Sequence, residues 1–375
     1  MTNKVGNQQM LREINVSTLL HMIFEHGPIS RVELSRKTKL SPTTVSVLIE
    51  ELIREQLVHE TGMAGKGVGR KMTLLNIRAD GGYVIGVDIS SSPAHCVLLD
   101  LNGQLVASQS LESVRGQDEI RTSLVKQLQQ FIHKQRIPRE LIRRIGISLP
   151  GRLDETQSIV ISSKYLQLEQ FPMRQVLEQE LSIPVLLAND LDAAGFAERF
   201  SGAAKNEHTI IFLLIGQGTG AGLVLNGEIY RGSSGAAGRT THLSPYCTPI
   251  LAEKLRTNHP EEFGSMSPEA TVHAFMDLVL AGVQPFSDQG ELIIRDIADY
   301  CGKMLEMLNP QKMILGGWIT DNAAFFDRLI HAIHEADHSP YGDTPIVVFH
   351  WKEYGSALGA AMLGLHEIFK KKTVQ

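Results

Sequence analysis

The sequence predicts an α/β protein in two parts. Residues 1–78 form a winged helix-turn-helix and residues 79–375 a duplicated α/β body. Three observations predict this. Before residue 55, apolar residues at helical spacing mark two helices and a capping box marks a short one between them. A plan of apolar strand, small-residue turn, strand, Asn-Gly turn and strand starts at Tyr83 and again at Thr209, about 125 residues later. Strands and amphipathic helices alternate through the rest of the chain.

In the arm, Val16, Leu19, Leu20, Ile23 and Phe24 make an amphipathic first helix that Gly27-Pro28 ends. Ser30-Arg31-Val32-Glu33 is a capping box for a short second helix through about Thr38. Ser41 as N-cap and Pro42 at the first helical position start a third, with Val45, Leu48, Ile49, Leu52 and Ile53 as its buried stripe. The short turn at Lys39-Leu40 makes the second and third helices a helix-turn-helix. Leu57-Val58, a loop Thr61 to Val68, Gly69-Arg70-Lys71 and the strand Met72 to Ile77 then read as a wing with a basic tip.

This arm has the chemistry of a DNA reader. Ser41, Pro42, Thr43, Thr44 and Ser46 open the third helix, the end that enters a major groove in such motifs. Arg70 and Lys71 can reach phosphate or a narrow minor groove. The rival reading is a small helical bundle for protein contacts. Charge favours DNA. The chain carries −5 overall, but residues 1–80 hold 11 Lys/Arg against 8 Asp/Glu, leaving an acidic body.

Bulk composition narrows the classes further. At 375 residues, 43% hydrophobic and 21% charged, the chain can bury a large core, which excludes disorder. No apolar run is long enough to span a bilayer, and MTNKVGNQQM lacks a signal-peptide apolar region, so a cytoplasmic protein with no membrane partner is expected. Cys96, Cys247 and Cys301 form no paired framework, which fits a reducing compartment.

The body begins after a linker, Arg78 to Gly82. A buried strand, Tyr83 to Ile89, leads through Ser90-Ser91-Ser92-Pro93 to a strand from His95 to Asp100, and Asn102-Gly103 turns into Gln104 to Ser108. A helix from about Asp118 to Lys134 precedes the strand Arg144 to Ser148, which ends in Leu149-Pro150-Gly151. Pro184 to Leu187 is a strand ending in Asn189-Asp190, either of which can cap the helix Leu191 to Phe200. Loops after strand ends are where α/β sheets hold ligands.

The second copy is the richest stretch. Thr209 to Ile215 is a strand, Gly216 to Gly222 a glycine loop, Leu223 to Leu225 a strand and Asn226-Gly227 a hairpin turn. Gly216, Gly218, Thr219 and Gly220 can turn backbone N–H groups toward phosphate or sugar oxygens, or can simply make a flexible hairpin. A second glycine cluster ends in Arg239 and His242. Helices near Ser267 to Ala281 and Asp288 to Leu308 follow, then the strand Lys312 to Leu315 into Gly316-Gly317-Trp318. A further helix, the strand Pro345 to Phe349 and a helix Gly355 to Phe369 with a small-residue face complete the body.

Taken together these residues resemble the repressor, open-reading-frame and sugar-kinase (ROK) family, over nearly the whole chain. They look most like its repressor branch, that of the xylose and N-acetylglucosamine repressors. The carriers are Gly27 to Leu34, Leu40 to Ser46, Gly69-Arg70-Lys71, Leu149-Pro150-Gly151, Asn189-Asp190, the stretch Thr209 to His242, and Ile314 to Gly317. The resemblance implies an actin-like, ribonuclease-H-like duplicated fold with a cleft between two lobes. It implies that Asp190 stands where the family's kinases place a general base. Gly151, Asn189, Asp190, Arg239 and His242 would then face the effector, while Asp88, Gly216, Gly218, Thr219, Gly220, Gly316 and Gly317 mark nucleotide loops.

Several family features are altered. The Asp-Ile-Gly-Gly-Thr loop reads Asp88-Ile89-Ser90-Ser91-Ser92, placing Cβ atoms where phosphate must approach. Trp318 replaces a third glycine and adds bulk on the adenosine side. The motif Gly-Glu-Ile-Gly-His reads Gly238-Arg239-Thr240-Thr241-His242, so an acceptor has become a cationic donor. Of the family's four zinc ligands only His242 and at most Cys247 remain, so no zinc is expected.

The expectation is a DNA-binding regulator, a repressor of carbohydrate-utilisation genes, without a catalytic centre. It would bind operator DNA as a homodimer or higher oligomer and sense a sugar or sugar phosphate, with neither ATP nor zinc as cofactor. Effector closing the cleft would change the spacing of two winged helices. The alternatives are an active ATP-dependent sugar kinase that kept its DNA-binding arm, and a ligand-independent regulator or scaffold.

Overall fold

In a computed structural model, residues 2–64, 72–336, 344–351 and 354–369 are described. The chain divides into two compact units. One holds 1–147, 172–187 and 360–375, and the other 148–171 and 188–359. Among the described residues no helix is long and apolar enough to cross a membrane.

The arm opens with α1 (Thr2–His26), which starts well before the apolar stripe at Val16. Its first half is polar, so periodicity alone does not show that half. Leu19, Leu20 and Ile23 are buried, and Gly27 N–H closes the helix on Ile23 O at 2.8 Å. After β1 (Ile29–Ser30), the capping box of α2 (Arg31–Thr38) forms as read: Ser30 N–H donates to Glu33 Oε2 at 3.0 Å, and Glu33 N–H to Ser30 Oγ at 3.3 Å. These Ser30 bonds, the backbone one foremost, hold the Glu33 carboxyl below its ordinary value.

α3 (Pro42–Arg54) buries Val45, Leu48, Ile49 and Leu52, each contributing about 2 kcal/mol of apolar burial. β2 (Val58–Ala64) and β3 (Met72–Ile77) complete the wing in the order β1-β3-β2, with a bulge between Glu60 and Gly62. β2 runs through Ala64, so the wing loop begins later than Thr61. Its predicted tip, Arg70 and Lys71, lies outside the described residues. The arm is not free of the body: Phe24 of α1 stacks on Phe369 at 4.6 Å.

Two five-stranded sheets carry the body. β4 (Tyr83–Asp88), β5 (Ala94–Asp100) and β6 (Leu105–Leu111) form an antiparallel meander. A helix follows as α4 (Gly116–Glu119), a π turn at Ile120–Leu124, and α5 (Val125–Lys134). β7 (Ile142–Leu149) leads to a small antiparallel sheet of β8 (Arg152–Leu153), β9 (Val160–Ser163) and β10 (Leu168–Phe171). Then come α6 (Met173–Leu181), β11 (Val185–Asn189) and α7 (Asp190–Ser201). The first sheet is ordered β11-β7-β4-β5-β6.

The second copy repeats this plan. β12 (Ile210–Ile215), β13 (Thr219–Leu225) and β14 (Glu228–Ile229) are again an antiparallel meander. After α8 (Thr248–Asn258), α9 (Pro260–Phe263), α10 (Pro268–Leu280) and α11 (Phe286–Leu308), β15 (Lys312–Gly317) pairs parallel with β12. α12 (Ala323–Ala336), β16 (Ile346–Val348) and α13 (Gly355–Phe369) finish the chain. The order β14-β13-β12-β15-β16 matches the first sheet strand for strand. The first strand of each copy is central, its hairpin partners lie to one side and two later strands to the other. The duplication read in the sequence is therefore a duplication of topology.

Some expectations need correction. The loop Gly216 to Gly222 shrinks to Gly216-Gln217-Gly218, because Thr219 to Gly222 pair with β12, from Ile215↔Thr219 through Phe212↔Gly222. Glycine content hides a strand that is held by ladder hydrogen bonds rather than by propensity. α8, α9 and the sheet β8–β10 are not legible in the sequence. They are short or lack a clear apolar period.

Candidate functional site

The opening of α3 is built mostly to hold itself together. Ser41 Oγ accepts Thr44 N–H at 3.0 Å and lies 2.8 Å from Thr44 Oγ1, while Ser46 Oγ donates to Pro42 O at 3.0 Å. Three of the predicted DNA-contacting hydroxyls thus have partners within the helix, and Thr43 is left exposed. Flanking charges are paired as well, Arg31 with Glu60 at 2.9 Å and Arg12 with Glu51 at 2.5 Å.

In the first unit, Asp88 ends β4 and is almost fully buried. The serines that replace the family's glycines bond to it. Ser90 N–H and Oγ reach Asp88 Oδ1 at 3.0 and 2.7 Å, and Ser91 Oγ reaches Oδ2 at 3.2 Å. The loop after β4 thus engages Asp88 Oδ1 twice, while Ser91 Oγ shares its one proton between Oδ2 and Pro93 O at 3.0 Å.

In the second unit, Asn189 joins two predicted site elements. Its Oδ1 accepts Leu191 N–H at 3.0 Å as the N-cap of α7, and its Nδ2 donates to Gly151 O at 3.2 Å. Capping thus falls to Asn189, leaving Asp190 as the first residue of α7, with its carbonyl accepting Ser356 Oγ at 3.2 Å. α7 sits directly on β13 because Gly222 has no side chain: a Cβ there would come within 2.2 Å of Leu191 O. The second glycine cluster is pinned to the same strand. Ala221 N–H donates to Gly238 O at 2.7 Å, and Gly238 has φ +77° with no room for a Cβ.

Beyond that pin, Arg239 is exposed and makes no ion pair with a described residue. His242 has different company. Its Nε2 lies 3.0 Å from Asp296 Oδ1, and its ring stacks on Tyr300 at 5.9 Å, both on α11. Tyr246 donates its hydroxyl to the other oxygen of Asp296. Burial raises the Asp296 carboxyl, but the bonds from Tyr246 and His242 outweigh it and leave the group below its ordinary value. The Tyr246 phenol is pushed up to about 12, by burial first and then by Asp296. His242 is engaged with a carboxylate, Cys247 is buried at the cap of α8, and no group of three ligands occurs among the described residues.

Gly216, Gly316 and Gly317 line a cavity of about 320 Å³ with Gln217, Glu269, His273 and Asp321. Trp318 lines the same cavity. Its ring packs on Phe325 at 5.5 Å and its indole N–H donates to Tyr246 O at 2.8 Å. Only 4% of the residue is exposed, so the core holds most of its bulk. The walls are acidic: Glu269 accepts from Gln217 at 2.8 Å and Asp321 lies 3.1 Å from His273.

Sequence reasoning gives Asp192 and Arg231 no role of their own and does not pair them. Asp192 is buried in the first turn of α7 and pairs with Arg231 at 3.4 Å. Burial, opposed by Arg231, raises its carboxyl to about 6. A second acid two residues after Asp190 is the available signal.

Comparison with known proteins places these features in company. A model described as the ROK family matches residues 84–254, and one described as a winged helix-turn-helix DNA-binding domain matches residues 17–59. The chain is 31% identical over 334 residues to a xylose repressor of Bacillus spizizenii, covering 85% of each. It is 25% identical over 346 residues to the DNA-binding transcriptional dual regulator NagC of Escherichia coli, covering 85% of the chain and 84% of NagC. The crystal structure of a ROK family transcriptional regulator, a homologue of the Escherichia coli MLC protein, superposes with a TM-score of 0.78 at 21% identity. It covers 96% of this chain and 99% of that one, a likeness of fold.

Proposed function

This chain belongs to the ROK family, and from that premise we propose that it is a sugar-responsive transcriptional repressor that binds operator DNA through its winged helix. The observation that carries the reading is the retained arm, with α2 and α3 capped as a helix-turn-helix, on a duplicated body whose first phosphate loop is closed. Asp88 spends its carboxylate on Ser90 and Ser91, and Glu269 and Asp321 give the walls of the second unit's cavity a charge that repels phosphate. Both features favour sensing over phosphoryl transfer, with neither ATP nor zinc as cofactor.

The effector is a sugar or a sugar derivative. Arg239, where the family carries glutamate, favours an acidic one such as a sugar phosphate. Gly151, Asn189, Asp190 and His242 are its proposed neighbours. His242 would have to exchange Asp296 for the ligand or read it while remaining paired. The operator is bound by a homodimer, since one recognition helix spans too few bases to specify a site. Effector and operator then weaken each other's binding.

The second reading, a working sugar kinase, is favoured by one observation: Asp190 stands at the start of α7 beside Asn189 and Gly151. ADP release measured over a panel of sugars with ATP decides between them. No turnover is expected, whereas turnover abolished by Asp190→Ala would establish the kinase.

A further inference from the structure

We propose that Val47 is a specificity-determining residue of the recognition helix, reading the 5-methyl group of one thymine in each operator half-site. This rests on the reading of the arm as a DNA-binding module. Few groups at the opening of α3 are left to offer a base. Ser41 and Thr44 are bonded to one another and Ser46 donates to Pro42 O. Thr43 and Val47 remain, one helical turn apart and on the same outward stripe, opposite the buried Val45, Leu48, Ile49 and Leu52.

Val47 is 57% exposed. A β-branched apolar residue there neither favours the helix nor fills the core, so the fold gives no account of it. In a major groove the same side chain has a defined use. Thymine is the base that presents a methyl group there, and apolar side chains recognise it by contact. Thr43 supplies a hydroxyl for an adjacent base edge or phosphate. The stripe thus reads one apolar and one polar feature from a single turn of helix.

Val47 also lines a shallow groove with Leu11 and Thr44. A second protein covering that groove is the competing occupant, but the position of Val47 directly above Thr43 at the groove-entering end of α3 favours DNA.

The experiment uses the full chain and its own promoter DNA, with each thymine of the protected site replaced in turn by uracil, which lacks only the methyl. One thymine per half-site is expected to be sensitive, its replacement weakening binding by about fourfold, the worth of one buried methyl-sized group. Val47→Ser should bind the unmodified site correspondingly less well and be indifferent to uracil at that position, with an unchanged melting temperature. A protein that binds the site with no methyl dependence, or a Val47→Ser variant that keeps the uracil penalty, overturns the assignment and leaves the regulator reading intact. So does a variant that changes only the sedimentation of the oligomer. A chain that binds no DNA overturns both.

Discussion

Asp192 Oδ2 lies 3.4 Å from Arg231 Nε, tying the first turn of α7 to the segment that follows β14. The Asp192 carboxyl, raised to about 6 chiefly by burial, is ionised at neutral pH at some cost to the fold, and Arg231 limits that cost. A raised carboxylate penalises the folded state fully above its folded value, and the penalty fades as pH falls through about 6 toward the ordinary 3.8. Arg231→Ala should therefore destabilise the protein by about 2 kcal/mol at pH 7.5 and by much less near pH 5, where Asp192 takes up a proton. Thermal melts of wild type and variant at both pH values check this. An equal loss at the two would show that the pair carries no such role.

The capping box gives a prediction for the arm. Ser30 satisfies Glu33 N–H and donates its own N–H to the Glu33 carboxylate, so Ser30→Ala should cost about 1 kcal/mol. Because the Glu33 carboxyl is held below its ordinary value, the box contributes above that value and is lost as pH falls through the lowered one. Melts from pH 7 to pH 3 should show the difference between wild type and variant narrowing in acid, where the Ser30 Oγ–Glu33 carboxylate bond is lost, with the cap on Glu33 N–H remaining.

How much of this is legible in the sequence differs by region. The arm can be read nearly whole, because caps at Ser30 and Ser41 and the stripe Val45 to Leu52 are local signals that tertiary packing reinforces. The duplication is legible from two Asn-Gly hairpins and recurs in the strand order of both sheets. The glycine loop is shorter than its composition suggests, since Gly220 and Gly222 are strand residues that serve close packing of α7. The partners of His242 are out of reach of sequence reasoning: Asp296 is 54 residues away and meets it only through the placement of α11. Trp318 reads as bulk at the cavity and does line it, while its contacts with Phe325 and Tyr246 come from packing that the sequence does not reveal.

Effector charge is tested at Arg239. If the effector is phosphorylated, Arg239→Ala should weaken its binding by about tenfold while leaving neutral sugars unaffected. Isothermal calorimetry with paired sugars and sugar phosphates checks this. Equal binding of the two forms by the wild type would exclude a role for the phosphate.

Metal content follows from the donor set. His242 faces Asp296 rather than a cysteine cluster, so purified protein should carry no stoichiometric zinc and a chelator should leave its melting temperature unchanged. Elemental analysis finding one zinc per chain would contradict this.

Operator and effector are proposed to compete through one protein. The most direct measurement is DNA binding by the full chain to its own promoter at fixed salt, titrated with sugars and sugar phosphates, and the converse titration of effector with operator present. One such compound is expected to weaken operator binding, and operator to weaken that compound's binding by the same factor. Tight operator binding that no sugar or sugar phosphate changes, or no operator binding at all, would contradict it.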